Sequence, residues 1–511
     1  MKAENNKKNL NNKEAVLNII GAIIIVGINT LINFFLSPYI VKNLGVEING
    51  YVALANNFIS YFSLITIALN SMSGRFILLE LKKNNLIEAN KYYTSVLLGN
   101  WILGIFLLIP VSILIIYLDR FIKIDTKFLE DVRMLFIFVF LSFFINLLMP
   151  KWSNATFSTN KLYLRSLEMA ITSIIRALII FFSYKMLSPK VYYIGIAGII
   201  MTIGNLFLEF LFKIKLLPEL RVKFKYYSLK KIKILVTAGI WNTVSQCGNL
   251  LLEGLDILLA NMFINPVASG LLAISKIIPN MINQVVGNIA TTFGPKLITF
   301  FALNDTDKML EEVKKNIKIV SIIANIPIGV TFIIGIYFFK LWVPSQDAKL
   351  LSMLSSLTLL GMLFSGISNC IINIFIAVNK LKLNSIMVII SGIINILIVY
   401  VLLNFTNLGI YIIASVSSII SIVRIFFFTA PYAACCIQKK WYVFYKPLIK
   451  GAGNVILPII IGIICNLFIN IDSWFFLILK IIIIIIFTII IDYFFILNVD
   501  EKNFIKKIIK R

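Results

Sequence analysis

Long apolar stretches alternate with short polar interruptions along nearly the whole chain. About fourteen of them approach the roughly 20 residues that a helix needs to cross a bilayer. They fall near 15–37, 49–72, 93–118, 132–149, 162–186, 191–213, 234–262, 267–293, 317–342, 350–376, 384–404, 407–430, 449–470 and 473–497. Helices are the expected element, because in lipid each backbone donor and acceptor must be satisfied within its own segment. A transmembrane barrel would show short alternating strands instead. The pattern predicts an all-α integral membrane protein.

Composition agrees. Of 511 residues, 59% are hydrophobic and 14% charged, and the mean hydropathy is +0.94. A soluble domain cannot hide that much apolar surface, whereas a bilayer accepts it as solvent.

The formal charge of +25 is placed in every second loop. Basic residues gather at Lys2–Lys13, at Lys82, Lys83 and Lys91, at Lys151 and Lys161, and most densely from Lys213 to Lys233. Further groups follow at Lys308–Lys318, at Lys380 and Lys382, at Lys439–Lys450, and in the tail "KNFIKKIIKR". The intervening loops are nearly bare of excess positive charge; in residues 119–133, four basic residues are balanced by four acids. This is the positive-inside pattern, and it predicts a multi-pass membrane protein with both termini cytoplasmic. The excess charge then reflects topology and contact with anionic membrane lipids, not nucleic acid. No cleavable signal peptide is expected, since the N-terminus is polar and no small-residue cleavage site follows the first span.

Absences narrow the chemistry. The chain has no His, which removes His metal sites, Ser-His-Asp triads and imidazole relays. Its five cysteines lack metal-ligand or disulfide spacing, and no P-loop is present. No loop is much longer than about 20 residues, so no soluble domain is available for catalysis. The expectation is a non-enzyme without a resident cofactor.

Two heptads answer each other: "NKLYLRS" at 160–166 and "NKLKLNS" at 379–385. Sliding the chain by 220 residues sets Asn29 on Asn249, Gly50 on Gly270, Ala53 on Ala273 and Gly74 on Gly294. An offset of 225 sets Asn100 and Gly104 over Asn325 and Gly329, and 219 restores the heptads. Each copy holds an even number of spans, so the repeats are parallel, related by an axis along the membrane normal. The expected architecture is a first lobe over 1–219 (spans 1–6), a second over 220–437 (spans 7–12), and two appended spans with the basic tail over 438–511. Two such lobes around a central cavity form an alternating-access transporter.

Within the first lobe, "FFLSPYIVKNLGVEINGYVALANNF" is followed by "LNSMSGRFI". Pro38, Leu44-Gly45, Gly50-Tyr51 and Arg75 give the Pro ending one span, the turn, the Gly-aromatic pair and the closing Arg. In these features and in span layout the chain resembles the multidrug/oligosaccharidyl-lipid/polysaccharide (MOP) exporter superfamily, specifically its polysaccharide branch of Wzx-type flippases. That resemblance implies transfer of undecaprenyl-diphosphate-linked oligosaccharide repeat units to the outer leaflet. It implies polysaccharide polymerase and assembly proteins as partners, and a role for Arg75.

Charges inside spans are functional candidates by default. On span 5, Arg165, Glu168, Thr172 and Arg176 share one helix face, with the two arginines eleven residues, about three turns, apart. A cationic ladder of Arg165 and Arg176 suits a diphosphate, because guanidinium binds oxyanions bidentately. The bland alternative is that Arg165 snorkels and pairs with Glu168. On span 7, Glu253 and Asp256 stand at a depth similar to Lys276 on span 8; they are candidates for H⁺ or Na⁺ coupling, with a structural ion pair as the rival reading. Lys276 is also a candidate for the anionic head group. Arg424 and Lys480 are expected to snorkel. Pro110, Pro279, Pro327 and Pro458 are expected to kink helices. A cation antiporter would prefer acids over these cations, a lipid II flippase shares the fourteen-span layout, and a glycan polymerase or scaffold fits less well.

Overall fold

The computed structural model describes residues 2–496. The basic tail after Ile496 lies outside the described residues, as do the side chains of Lys2, Lys7, Lys8 and Lys13. The described elements are helical, and thirteen helices are long and apolar enough to cross a membrane. In chain order, spans 1–7 are Ile20–Leu44, Val46–Lys82, Leu86–Ile116, Thr126–Leu148, Leu162–Met186, Tyr193–Leu216 and Leu229–Ile264. Spans 9–14 are Thr306–Trp342, Ala348–Ala377, Leu381–Phe405, Ile410–Cys436, Tyr445–Phe468 and Trp474–Phe494.

The eighth expected span is present but broken into Pro266–Ser275 and Ile277–Thr291, with Lys276 in the turn between them. Pro279 explains the break: its ring excludes the carbonyl of the residue four positions earlier, Ser275, where the first piece ends. Pro458 does the same four residues after Asn454, where the helix Tyr445–Gly453 gives way to Ile456–Phe468. Pro110 and Pro327, by contrast, sit inside uninterrupted helices.

The repeat is written in the backbone. Asn160 and Asn379, which open the two heptads, both adopt left-handed φ, 58° and 55°. Asn tolerates this region better than most residues. In both copies the following Lys N–H reaches back five residues, Lys161 to the Thr156 carbonyl and Lys380 to that of Phe375, each at 2.9 Å. A second matched pair, Asn84 and Asn304, is also left-handed, at 58° and 54°. Each is followed by an N-cap: Asn85 accepts from the N–H of Glu88 at 3.2 Å, and Asp305 from that of Lys308 at 3.0 Å.

The chain divides into two compact units, 1–273 and 274–511. This boundary lies beyond the lobe boundary expected from sequence at 219/220, and packing explains why. The segment after span 6 is tied to span 3: Asn90 accepts from the N–H of Arg221 at 2.7 Å, and Ser95 from that of Ser228 at 3.0 Å. Span 7 then packs on span 2, where a Cβ on Gly239 would lie 2.1 Å from the Ala68 carbonyl oxygen. Gly50 and Gly270, equivalent in the repeat, meet directly: a Cβ on Gly50 would lie 2.8 Å from the Gly270 nitrogen. Tyr51, Phe136 and Phe140 anchor a core of the first unit, while Phe375 and Phe444 lie in the main core of the second.

Lys480 does not snorkel. It is 1% exposed, and its ammonium donates to Asn466 and to the Ile469 carbonyl. These groups close the C-terminus of the helix Ile456–Phe468, where the helix dipole favours a cation.

Candidate functional site: a charged face on span 5

Span 5 begins at the Asn160 turn, which span 1 holds in place. Asn18 donates to the Asn160 carbonyl at 2.9 Å and accepts from the N–H of Tyr163 at 2.9 Å. Gly21 lets the two helices close, since a Cβ there would come within 3.1 Å of Tyr163 Cα. The ladder positions are thereby fixed against the rest of the unit.

Arg165 is exposed, whereas Glu168 and Thr172 are buried. No salt bridge joins Arg165 to Glu168 among the described residues, and Glu168 Oε2 is buried without a hydrogen bond. The Thr172 hydroxyl lies 2.6 Å from Asn205 Oδ1 on span 6 and 2.9 Å from the Glu168 carbonyl. One turn beyond Asn205, Glu209 accepts from the N–H of Ser153 at 3.3 Å. It lies within electrostatic reach of Arg165, Glu168 and Lys151. Lys151, in the loop before span 5, donates to Asn146 at 2.9 Å. Burial pushes its ammonium below the usual lysine range, and the neighbouring Glu209 opposes that shift.

Arg176 stands about 16 Å further along the helix from Arg165. Its Nε is buried and has no hydrogen-bond partner. The two arginines therefore differ: one is exposed, the other is half-buried with unspent donor capacity.

Of the other expected residues, Arg75 is exposed on the helix Ser73–Lys82, which packs against the turn Asn154–Ser158 just ahead of span 5. Glu253 and Asp256 sit where span 7 departs from α-geometry, in Leu250–Gly254 (π), Asp256–Leu259 (α) and Ala260–Ile264 (π). Span 2 braces this segment: Tyr61 donates to the Gly254 carbonyl at 2.8 Å, with Asn57 at 3.3 Å. Asp256 is buried and Glu253 exposed. Lys276, 8% exposed, falls in the second compact unit. Irregular helix within a membrane is tolerated where it is buried in protein or lines a cavity, and π-segments often mark functional positions.

Glu209 and Asn205 are not among the residues expected from sequence. An acid in "FLEFLF" (207–212) is the same kind of signal that singled out Arg176, and it identifies Glu209 by the same rule. The π-segments have no comparable sequence signal beyond Gly254 itself.

The same fold is found in solved membrane transporters. In structure the chain is similar to the lipid II flippase MurJ in an inward closed conformation: TM-score 0.67, 17% identity, covering 94% of this chain and 98% of that one. It is also similar to a multidrug resistance MATE family transporter of the MOP superfamily in an inward-facing conformation, with TM-score 0.63 and 15% identity over 83% and 98% of the two chains. In sequence it is 27% identical over 450 residues to the uncharacterized membrane protein EpsK of Bacillus subtilis (strain 168), covering 88% of each chain. No known protein-family profile matches the chain.

Proposed function

We propose that this protein is a flippase for polyprenyl-diphosphate-linked oligosaccharide repeat units, serving capsule- or O-antigen-type polysaccharide synthesis. In this reading, it works in the bacterial plasma membrane with both termini cytoplasmic, and lobes 1–219 and 220–437 alternate access to a cavity between the leaflets. The observation that carries the reading is Arg176, a guanidinium within a membrane span whose Nε no protein group satisfies. A diphosphate is the kind of ligand that would use it. Arg165 and Arg75 supply outer contacts for the same head group, and Lys276 a further cation. Asp256 and Glu253 carry the coupling H⁺ or Na⁺, since a carboxylate beside irregular backbone is suited to change its charge state or its ligand during transport. Polysaccharide polymerase and assembly proteins are the expected partners.

A second cargo, lipid II, is favoured by the structural similarity to the lipid II flippase. It carries the same diphosphate, so the cationic ladder does not separate the two. The deciding experiment is mass spectrometry of undecaprenyl-diphosphate-linked sugars after depletion of the protein in its own cell, with complementation by wild type or Arg176→Ala at matched expression. Accumulation of one defined repeat unit, cleared by wild type and not by the variant, supports the proposal and identifies the cargo. Accumulation of lipid II alone transfers the assignment to peptidoglycan. An unchanged pool with increased sensitivity to cationic drugs refutes both in favour of an antiporter.

A further inference from the structure

The helix Tyr445–Gly453 crosses the basic end of span 9, and the crossing forms a half-open cavity of about 620 Å³. Gly451 makes the approach close: a Cβ there would stand 3.3 Å from Ser321 Cβ. Asn325 of span 9 pins the crossing by donating to the Gly451 carbonyl at 2.5 Å. Four lysines line the cavity, Lys314 and Lys318 from span 9 and Lys446 and Lys450 from the crossing helix. Each pair has i,i+4 spacing, so both project from one face of their helix. Ser321 and Asn454 contribute neutral polar groups joined by a 3.2 Å hydrogen bond, and no carboxylate lines the cavity. Lys314, Lys446 and Lys450 form no ion pair among the described residues.

The ammonium groups of Lys314, Lys446 and Lys450 around one cavity repel each other, and no carboxylate in its lining offsets them. Water weakens that repulsion, but a multivalent anion would remove it and gain charge-assisted hydrogen bonds. The neighbouring surface indicates where such an anion comes from. Trp441 and Tyr442, just ahead of the crossing helix, are 56% and 49% exposed, and Ile449 on that helix is 59% exposed. Aromatic side chains next to lysines and exposed apolar groups characterise a segment lying at the membrane–water interface.

We propose that this cavity binds the phosphate head group of an anionic membrane lipid, at a site separate from the span 5 ladder and independent of what the protein transports. The same chemistry would accept a soluble polyphosphate, so the test uses both. Full-length protein is reconstituted in nanodiscs of phosphatidylcholine, with phosphatidylglycerol or cardiolipin added, and bound lipid is read by native mass spectrometry. Inorganic pyrophosphate is titrated separately. The variant is the quadruple K314Q/K318Q/K446Q/K450Q. Its control, K223Q/K225Q/K230Q/K233Q, removes the same charge from exposed positions elsewhere on the chain.

The expected result is that retention of anionic lipid falls about tenfold or more in the cavity variant and stays near wild type in the control. Equal losses in the two variants would mean diffuse surface charge and would overturn the site. Pyrophosphate binding without lipid enrichment would overturn the lipid assignment. If the quadruple variant is not recovered folded, K446Q/K450Q changes only two exposed side chains and must still lower retention several-fold; unchanged retention there would also overturn the site.

Discussion

Span 5 (Leu162–Met186) and span 11 (Leu381–Phe405) leave equivalent Asn turns and have the same length, 25 residues. At the heptad offset of 219, Arg165, Glu168, Thr172 and Arg176 correspond to Asn384, Met387, Ser391 and Asn395. The polar framework is conserved between the copies: Thr172 donates back to the Glu168 carbonyl at 2.9 Å, and Ser391 to that of Met387 at 2.8 Å. Asn384, Ser391 and Asn395 are all buried, so both helices turn a polar face inward. Only the first copy charges that face. A helix of this shape and setting evidently folds without the charges. Since burying an unpaired guanidinium nitrogen costs free energy, Arg176 is not explained by the needs of the fold.

The largest expected effect comes from making span 5 resemble span 11. Arg176→Asn should reduce clearance of the lipid-linked pool about 10- to 100-fold, the range expected for losing a charge-assisted contact. The melting temperature of the purified protein should stay level or rise, since an uncompensated buried donor is removed. Asn395→Ala should leave clearance within about twofold of wild type. A fall in melting temperature matching the loss of activity would make Arg176 structural and end the proposed distinction between the copies.

Where the copies touch, they should respond alike. A Cβ on Gly50 would meet the Gly270 nitrogen and one on Gly270 would meet the Val46 carbonyl, and backbone has little room to relax. Gly50→Leu and Gly270→Leu should each cost about 1–3 kcal/mol or more by thermal denaturation. Gly27, with no heavy atom within 4 Å of its Cβ position, serves as the control and should accept Leu with little change. A much larger penalty at one of the paired glycines than at the other would show that only one crossing bears load. At the heptad turns, Asn160→Ala and Asn379→Ala should each cost about 1–2 kcal/mol for left-handed φ, while Asn→Gly should be nearly neutral.

Much of this was legible because membrane spans and turns obey rules that a single sequence displays. Apolar length reports the spans, and the recurring Asn-Lys-Leu reports a turn whose left-handed Asn the structure contains twice. Legibility failed where a long-range partner decides the outcome. Lys480 has the same flanks as a snorkelling lysine, and only the folded chain brings Asn466 and the end of a helix to its ammonium. Span 7 looks continuous by hydropathy, yet Tyr61 and Asn57, nearly 200 positions earlier, hold the Gly254 carbonyl and stabilise the π-turn around it. The break at Lys276 was within reach of sequence reasoning, since Pro279 excludes the Ser275 carbonyl; a kink was expected there, and an interruption formed.

The smallest effect lies at the matched N-caps, where the repeat keeps the geometry and changes the chemistry. Asn85 and Asp305 both cap the helix that follows a left-handed Asn, but only Asp305 titrates. Hydrogen bonds from the Lys308 side chain and backbone N–H hold its carboxyl below the ordinary range. For a carboxyl whose folded pKa is depressed, the stabilisation is fully present above the unfolded value of about 3.9 and is lost as pH falls through the lower folded value. Amide exchange in the first turn of span 9 should therefore accelerate below about pH 4 relative to wild-type exchange at neutral pH, after correction for intrinsic rates. The first turn of span 3 is capped by an amide, so an acid step there would come from Glu88, which is paired with Lys91 and Lys231, and not from the cap. Asp305→Asn should abolish the step in span 9 while keeping the cap, because Asn accepts the same backbone hydrogen bond without carrying a proton. If the step persisted in Asp305→Asn, the acid sensitivity would belong to another group, and the two caps would be equivalent in chemistry as well as in geometry.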